Sequence, residues 1–207
     1  MRIVTGMRKN TLVLAILFAS AMPALAQTSQ FGLTIGGSKR LISHTDQARG
    51  IGVSDHFKFS NSVREVFYAV QLDPGTFFKI KGGQIEGPAA FQYRAENGGL
   101  ARTDVSKGTI EHIDGLIDYR FSEAFGSTGL FAGAGLYRQR GNLTDAAVPA
   151  GQRGNQTETN YGFQGGVNSD FPITRRAGFI AELAYHWINY HYKVRYLTLS
   201  GGLRFSF

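Results

Sequence analysis

The residues able to do chemistry recur at alternate positions within short segments. Lys79 and Lys81 are two apart, and His112, Asp114, Asp118 and Arg120 keep even spacing. Glu182 and Arg204 each stand between apolar neighbours, and Glu65 lies between Arg64 and Val66. In an extended chain, side chains two apart share a face. These nine groups therefore line polar faces, opposite apolar faces carrying Val66, Ile80, Ile113, Ile117, Leu183 and Leu203. Four acids, four bases and one histidine are nearly balanced, which suits a network of ion pairs. The alternative use of such a set is a path for protons or ions. Burying so many charges in an apolar soluble core is costly unless each is paired.

Other catalytic or metal chemistry finds little support. His44, His56, His112, His186 and His191 show no metal-ligand spacing with a third ligand nearby, so no metal or cofactor is expected. No cysteine is present, which excludes disulfides and thiolate zinc. Basic side chains also gather outside the alternating segments. Lys39, Arg40, Arg49 and Lys58 stand against Asp46 and Asp55; Arg138, Arg140 and Arg153 form a second group, and Tyr190, Tyr192, Lys193 and Arg195 a third.

The positioning elements follow from the leader and from the period of the chain. Arg2, Arg8 and Lys9 precede the apolar run Leu12 to Phe18 and the small-x-small site Ala24-Leu25-Ala26. That pattern is a secretory signal over residues 1–26, leaving a single domain over 27–207. The leader holds three of the 22 basic residues and none of the 15 acidic ones, so the formal charge falls from +7 to +4. This mild excess does not argue for nucleic acid. After the leader no apolar run is long enough for a membrane helix, and no sustained period of 3.6 occurs.

Eight candidate strands carry the period-two signal: Gln30–Gly37, Val63–Leu72, Thr76 to about Ile85, Ile110–Phe121, Thr128–Arg138, Thr157–Asn168, Ala177–Trp187 and Leu197–Phe207. The fifth, containing GLFAGAGLY, has two faces too similar to assign. Long polar connections (38–62, 87–108 and 139–156) follow the first, third and fifth strands, with Ala90–Arg94 a candidate extension of the third strand beyond the membrane. Short turns follow the second, fourth and sixth, and Pro74, Pro88, Pro149 and Pro172 all fall in connections. Tyr137, Tyr161, Tyr185 and Trp187 gather toward the long connections; Phe121, Phe171, Phe205 and Phe207 gather toward the short turns. These two aromatic girdles suit two membrane interfaces. The architecture expected is all-β, an eight-stranded antiparallel up-and-down transmembrane barrel with polar groups inside and apolar groups outside.

The leader, the eight alternating strands, the long/short rhythm and the closing LTLSGGLRFSF together resemble the small outer-membrane β-barrels of Gram-negative bacteria, of the OmpA transmembrane-domain and OmpX-like kind. The resemblance spans the chain after the leader. It implies a bacterial outer-membrane location and contact with outer-membrane lipids and lipopolysaccharide. It also implies recognition by the outer-membrane assembly machinery, with Phe205 and Phe207 as the assembly signal. The sequence has no wall-binding domain after the barrel, so wall anchoring is not implied. One enzymatic branch of these barrels carries a His-x-Ser pair on its late strands; here His186 is followed by Trp187 and Ile188. The expectation is a monomeric, non-enzymatic barrel with a side-chain-filled lumen, acting in envelope integrity or surface interaction through its loops. Its competitors are a narrow channel or transporter for small or apolar solutes and, behind that, a lipid A-modifying enzyme.

Overall fold

Eight strands make up most of the described chain: β1 (Ser29–Leu41), β2 (Asn61–Asp73), β3 (Thr76–Arg94), β4 (Leu100–Glu123), β5 (Gly126–Leu143), β6 (Gly154–Pro172), β7 (Ala177–Ile188) and β8 (Val194–Ser206). This computed structural model describes residues 28–41, 59, 61–96, 98–123, 126–145, 148–190 and 194–207. The expected leader lies outside them, as do His44, His56, His191, Asp46, Arg49, Asp55, Lys58, Tyr192 and Lys193.

Each strand pairs antiparallel with the next, and β8 returns to β1, closing the barrel. The closing seam sets Phe31 against Phe205 and Leu33 against Leu203. Closure pairs the edge strands, which would otherwise present a row of free N–H and C=O groups. The turn between β2 and β3 consists of Pro74 and Gly75, with Gly75 at φ +84°. Proline pre-sets the first turn position and glycine accepts positive φ at the second. This end of the barrel also carries residues 173–176 and the Ser29–Phe207 backbone pair. The opposite end carries the connections from β1 to β2, β3 to β4, β5 to β6 and β7 to β8.

The strands alternate as the period predicts, with polar groups inside and apolar groups outside as expected. Phe31, Leu33, Ile35, Val66, Ile113, Ile117, Leu130, Leu136, Phe163, Leu183, Leu199 and Leu203 are exposed on the outer wall, while Lys79, Lys81, Asp114, Asp118 and Glu182 are buried inside. Such a surface suits lipid, where apolar groups face outward and backbone groups must be satisfied within a closed sheet. The fifth strand is now assigned. Phe131, Tyr137 and Gln139 point inward; Leu130, Ala132, Ala134 and Leu136 lie on the outer wall.

Four expectations are corrected. Residues 87–108 are not a long polar loop, because β3 and β4 continue through them and only 95–99 connect the two. The 139–156 connection likewise shrinks, as β5 runs to Leu143 and β6 starts at Gly154. Beyond the apolar band the outer wall loses its row of exposed apolar side chains, although Ala89 and Phe91 stay buried. The alternation that marks a strand in sequence fades there while the backbone ladder persists. Pro88 is inside β3 and Pro172 is the last residue of β6. At Pro88 the register shifts between Gly87 and Ala89, so the residue unable to donate sits at a bulge. Tyr137 is buried in the interior and takes no part in an outer girdle, whereas Tyr161, Tyr185, Phe121, Phe171, Phe205 and Phe207 are exposed.

Candidate functional site

The barrel interior gathers side chains from strands far apart in sequence into one chain of alternating charge. Near the short turns, Arg204 Nε lies 2.6 Å from an Asp170 oxygen, and the same oxygen is 3.2 Å from Arg120 Nη1. Arg120 also holds Asp118 at 2.9 Å, and Asp118 lies 2.8 Å from Lys79 Nζ. Lys79 is 3.7 Å from Glu182, which pairs in turn with Lys81. Lys81 reaches Glu65 at 3.1 Å; Glu65 is 3.4 Å from His112 Nε2, and His112 Nδ1 is 2.6 Å from Asp114. The order is cation, anion, cation, anion throughout, ending with His112 between two carboxylates. A protonated His112 makes the chain five against five.

Each member is placed by the pleat of its strand. Lys79 and Lys81 stand two apart on β3, opposite Leu116 and Asp114 of β4. Charges this deeply placed are tolerated when paired with good geometry and supplied with further hydrogen bonds. Thr34 Oγ1 donates to Glu65 at 3.3 Å, Asn168 Nδ2 to Asp118 at 2.9 Å, and Arg120 Nη1 to Gln30 at 2.9 Å. With its amide oxygen toward Lys81 (3.0 Å) and its nitrogen toward Asp114 (3.2 Å), Gln164 bridges the upper members. Aromatic faces pack against the cations. Lys79 Nζ is 5.1 Å from the ring centroids of both Phe67 and Phe131, and the Arg120 guanidinium is 4.4 Å from that of Phe77.

Above the charges the lumen closes with apolar and aromatic groups. Val63, Ile85, Ile110, Tyr137, Ile188, Tyr190, Val194 and Tyr196 form one buried cluster. Tyr137 stacks on His112 with centroids 5.5 Å apart. His186 Nδ1 faces the Tyr137 hydroxyl at 3.2 Å, and its Nε2 faces Thr198 Oγ1 at 3.1 Å. This histidine–hydroxyl pair is formed across strands, yet both residues are buried in the packed interior and its second nitrogen meets a phenol instead of a carboxylate. Tyr190, just past β7, has its hydroxyl held well above the ordinary phenol range by burial and then by the Glu158 carboxylate. Among the described residues no cluster of three or more His, Cys, Asp or Glu could hold a metal ion.

All nine residues singled out in sequence (Glu65, Lys79, Lys81, His112, Asp114, Asp118, Arg120, Glu182 and Arg204) lie in this interior. Asp170 was missed because the sixth strand was ended at Asn168; continuing the same alternation by one more step would have reached it. Gln30, Gln164 and Asn168 share the polar parity but carry no charge to flag them. Phe205 and Phe207 sit apart from the network. Phe205 faces outward in register with Phe31 and Ala177, and Phe207 is exposed while its backbone bonds to Ser29.

At the opposite end β3, β4, β5 and β6 continue past their neighbours as a protruding sheet. Ala89, Phe91, Leu143 and Val148 form its own small core. Gln152 ties the connection after β5 to β3, its side chain bonding both the N–H and the C=O of Arg94. Beside it opens a cleft of about 280 Å³ whose lining includes Phe91, Tyr93, Arg94, Leu100, Gln156 and Glu158.

No protein-family model and no curated protein sequence matches the chain. Solved structures do. Neisserial surface protein A aligns with a TM-score of 0.51 at 14% identity, covering 87% of this chain and 96% of that one. Ail, the attachment invasion locus protein of Yersinia pestis, aligns at 0.48 with 12% identity, covering 87% and 97%. The N-terminal barrel of Pseudomonas aeruginosa OprF aligns at 0.45 with 14% identity, covering 88% and 98%. At 14% identity the likeness to the Neisserial protein concerns fold, and it agrees with the strand order and closure described above. The chain has the fold of the small eight-stranded outer-membrane β-barrels.

Proposed function

We propose that the protein is an exported, non-enzymatic outer-membrane barrel whose lumen is plugged and whose activity resides in the surface it raises above the membrane. The observation that carries this reading is the interior itself. An alternating chain of charges fills the half nearer the short turns, and a tyrosine-rich apolar cluster closes the half above it. An eight-stranded barrel is narrow enough for side chains to fill. The protruding β3–β6 sheet is the part shaped to meet a partner, since binding functions concentrate on loops and extensions held by a rigid scaffold. Residues 1–26 act as a cleaved signal, and the nine charged groups act as the structural plug. Phe205 and Phe207 serve as the signal for the assembly machinery. Lipopolysaccharide and other outer-membrane lipids surround the wall. Neisserial surface protein A, whose fold this chain shares, is a surface protein, which supports a role in envelope integrity or surface interaction.

Planar-bilayer recording of the purified, folded protein tests the plug. The expected result is no steady conductance. Regular single-channel openings would overturn the plugged-lumen reading in favour of a narrow channel.

A further inference from the structure

The outer wall over β5, β6 and β7 has a feature that lumen and loops leave unused. Three registered rows cross it: Leu136 beside Tyr161, Ala134 beside Phe163 and Trp187, and Ala132 beside Gly165 and Tyr185. Because Ala132 and Ala134 of β5 and Gly165 of β6 are small while Phe163, Tyr185 and Trp187 beside them are large, the wall is indented. The depression measures about 510 Å³, with Ala132, Ala134 and Gly165 as floor and Phe163, Tyr185 and Trp187 as side. That volume lies in the range of small-molecule sites, and the lining is apolar.

On the same face of β5, toward the connection end, the next two outward positions after Leu136 are Arg138 and Arg140. Arg138 Nε donates to Glu111 at 2.8 Å, and Arg140 Nη2 lies 3.1 Å from the same Glu111 oxygen. One carboxylate thus holds two half-exposed guanidinium groups side by side, and the group keeps a net positive charge. Thr157 and Thr159 of β6 lie across from them in register. From Ala134 to Arg138 is four residues, about 13 Å along the strand and about 10 Å in height at the usual barrel tilt. The pair therefore stands above the depression, where the apolar wall gives way to polar surface.

We propose that this strip of wall is a binding site for a phosphorylated, acylated glycolipid of the outer leaflet, with an acyl chain in the depression and a phosphate on Arg138 and Arg140. The inference rests on the outer-membrane reading above. Guanidinium groups match phosphate oxygens in geometry as well as charge, and charge-assisted bonds of this kind are the strong ones. The apolar recess alone would accept any chain, including the wall of a second copy of this protein. The arginine pair directly above it selects an anionic amphiphile with its headgroup on the connection side.

The test uses the full mature chain folded in neutral detergent micelles, titrated with hexa-acylated bisphosphorylated lipid A. Native mass spectrometry reports retention, and the emission of Trp187, the single tryptophan, reports occupancy of the recess. One retained lipid per barrel and a saturable Trp187 change are expected. The Arg138→Gln/Arg140→Gln variant should bind about 30-fold more weakly, the factor two surface cations contribute toward an anionic headgroup. Ala134→Phe, which fills the floor, should abolish the saturable change, whereas Ile35→Phe on the far wall should leave it intact. Equal binding of dephosphorylated lipid A, equal binding by the double arginine variant, or a protein dimer that Ala134→Phe dissolves would each overturn the proposal. Heat-modifiable gel migration separates the two levels. A folded barrel that retains no lipid A overturns this inference alone, while a chain that shows no such form and stays monomeric without detergent overturns the membrane reading with it.

Discussion

Lys81 is the joint at which the interior network is most exposed to test. Its ammonium is fully buried and paired with both Glu65 and Glu182. Lys81→Met keeps the length of the side chain and its packing near Phe131 while removing the charge. Glu182 would then have only Lys79 at 3.7 Å, and Glu65 only His112 at 3.4 Å and the Thr34 hydroxyl at 3.3 Å. Removing one partner of a buried pair strands the other charge and costs about 3–5 kcal/mol. Glu182→Gln strands Lys81 and Lys79 less severely, because Glu65 and Asp118 still face them. The double variant removes one charge of each sign, so its loss should fall short of the summed single losses by about 2 kcal/mol, within the usual range for contacting residues. Urea unfolding of the protein folded in lipid vesicles, followed by the heat-modifiable gel shift, measures all three. A Lys81→Met loss below about 1 kcal/mol, together with additivity in the double variant, would refute the coupled network.

Ile117 is about half exposed at the middle of the outward-facing apolar run from Ile113 to Phe121 on β4. Ile117→Arg should destabilise the barrel by about 2–4 kcal/mol in vesicles if that wall faces hydrocarbon, but by no more than about 0.5 kcal/mol if it faces water; urea titration in vesicles separates the two. Deleting Phe207 should lower the amount of barrel reaching the outer membrane in cells while leaving refolding in detergent near normal, and a normal cellular level would count against the assembly-signal role. Gly75→Ala forces a Cβ into a backbone at φ +84° and to 2.8 Å from the Arg120 carbonyl oxygen. It should cost about 1–2 kcal/mol, read as a lower urea midpoint.

The alternation of residue types determined most of the architecture. Val66 against Glu65, Ile113 against His112 and Leu203 against Arg204 assign faces locally, because the side-chain period of a strand is two. Pro74 and Gly75 marked their turn by backbone preference alone. What alternation cannot reach is partnership between distant strands. Lys81 and Glu182 are 101 residues apart and meet only because eight strands close at a particular stagger. Only the folded barrel decided the facing of GLFAGAGLY. Its two faces read alike in sequence, but Phe131 and Tyr137 fit the interior beside Gly133 and Gly135, and a Cβ at Gly135 would stand 2.3 Å from an Asp114 oxygen. Ala90–Arg94 was legible as a continuation of the third strand, but its pairing with the extension of β4 over 100–109 is decided only by the fold. The recess at Ala132, Ala134 and Gly165 is likewise a tertiary fact. Small residues on neighbouring strands become a depression only when closure sets them side by side.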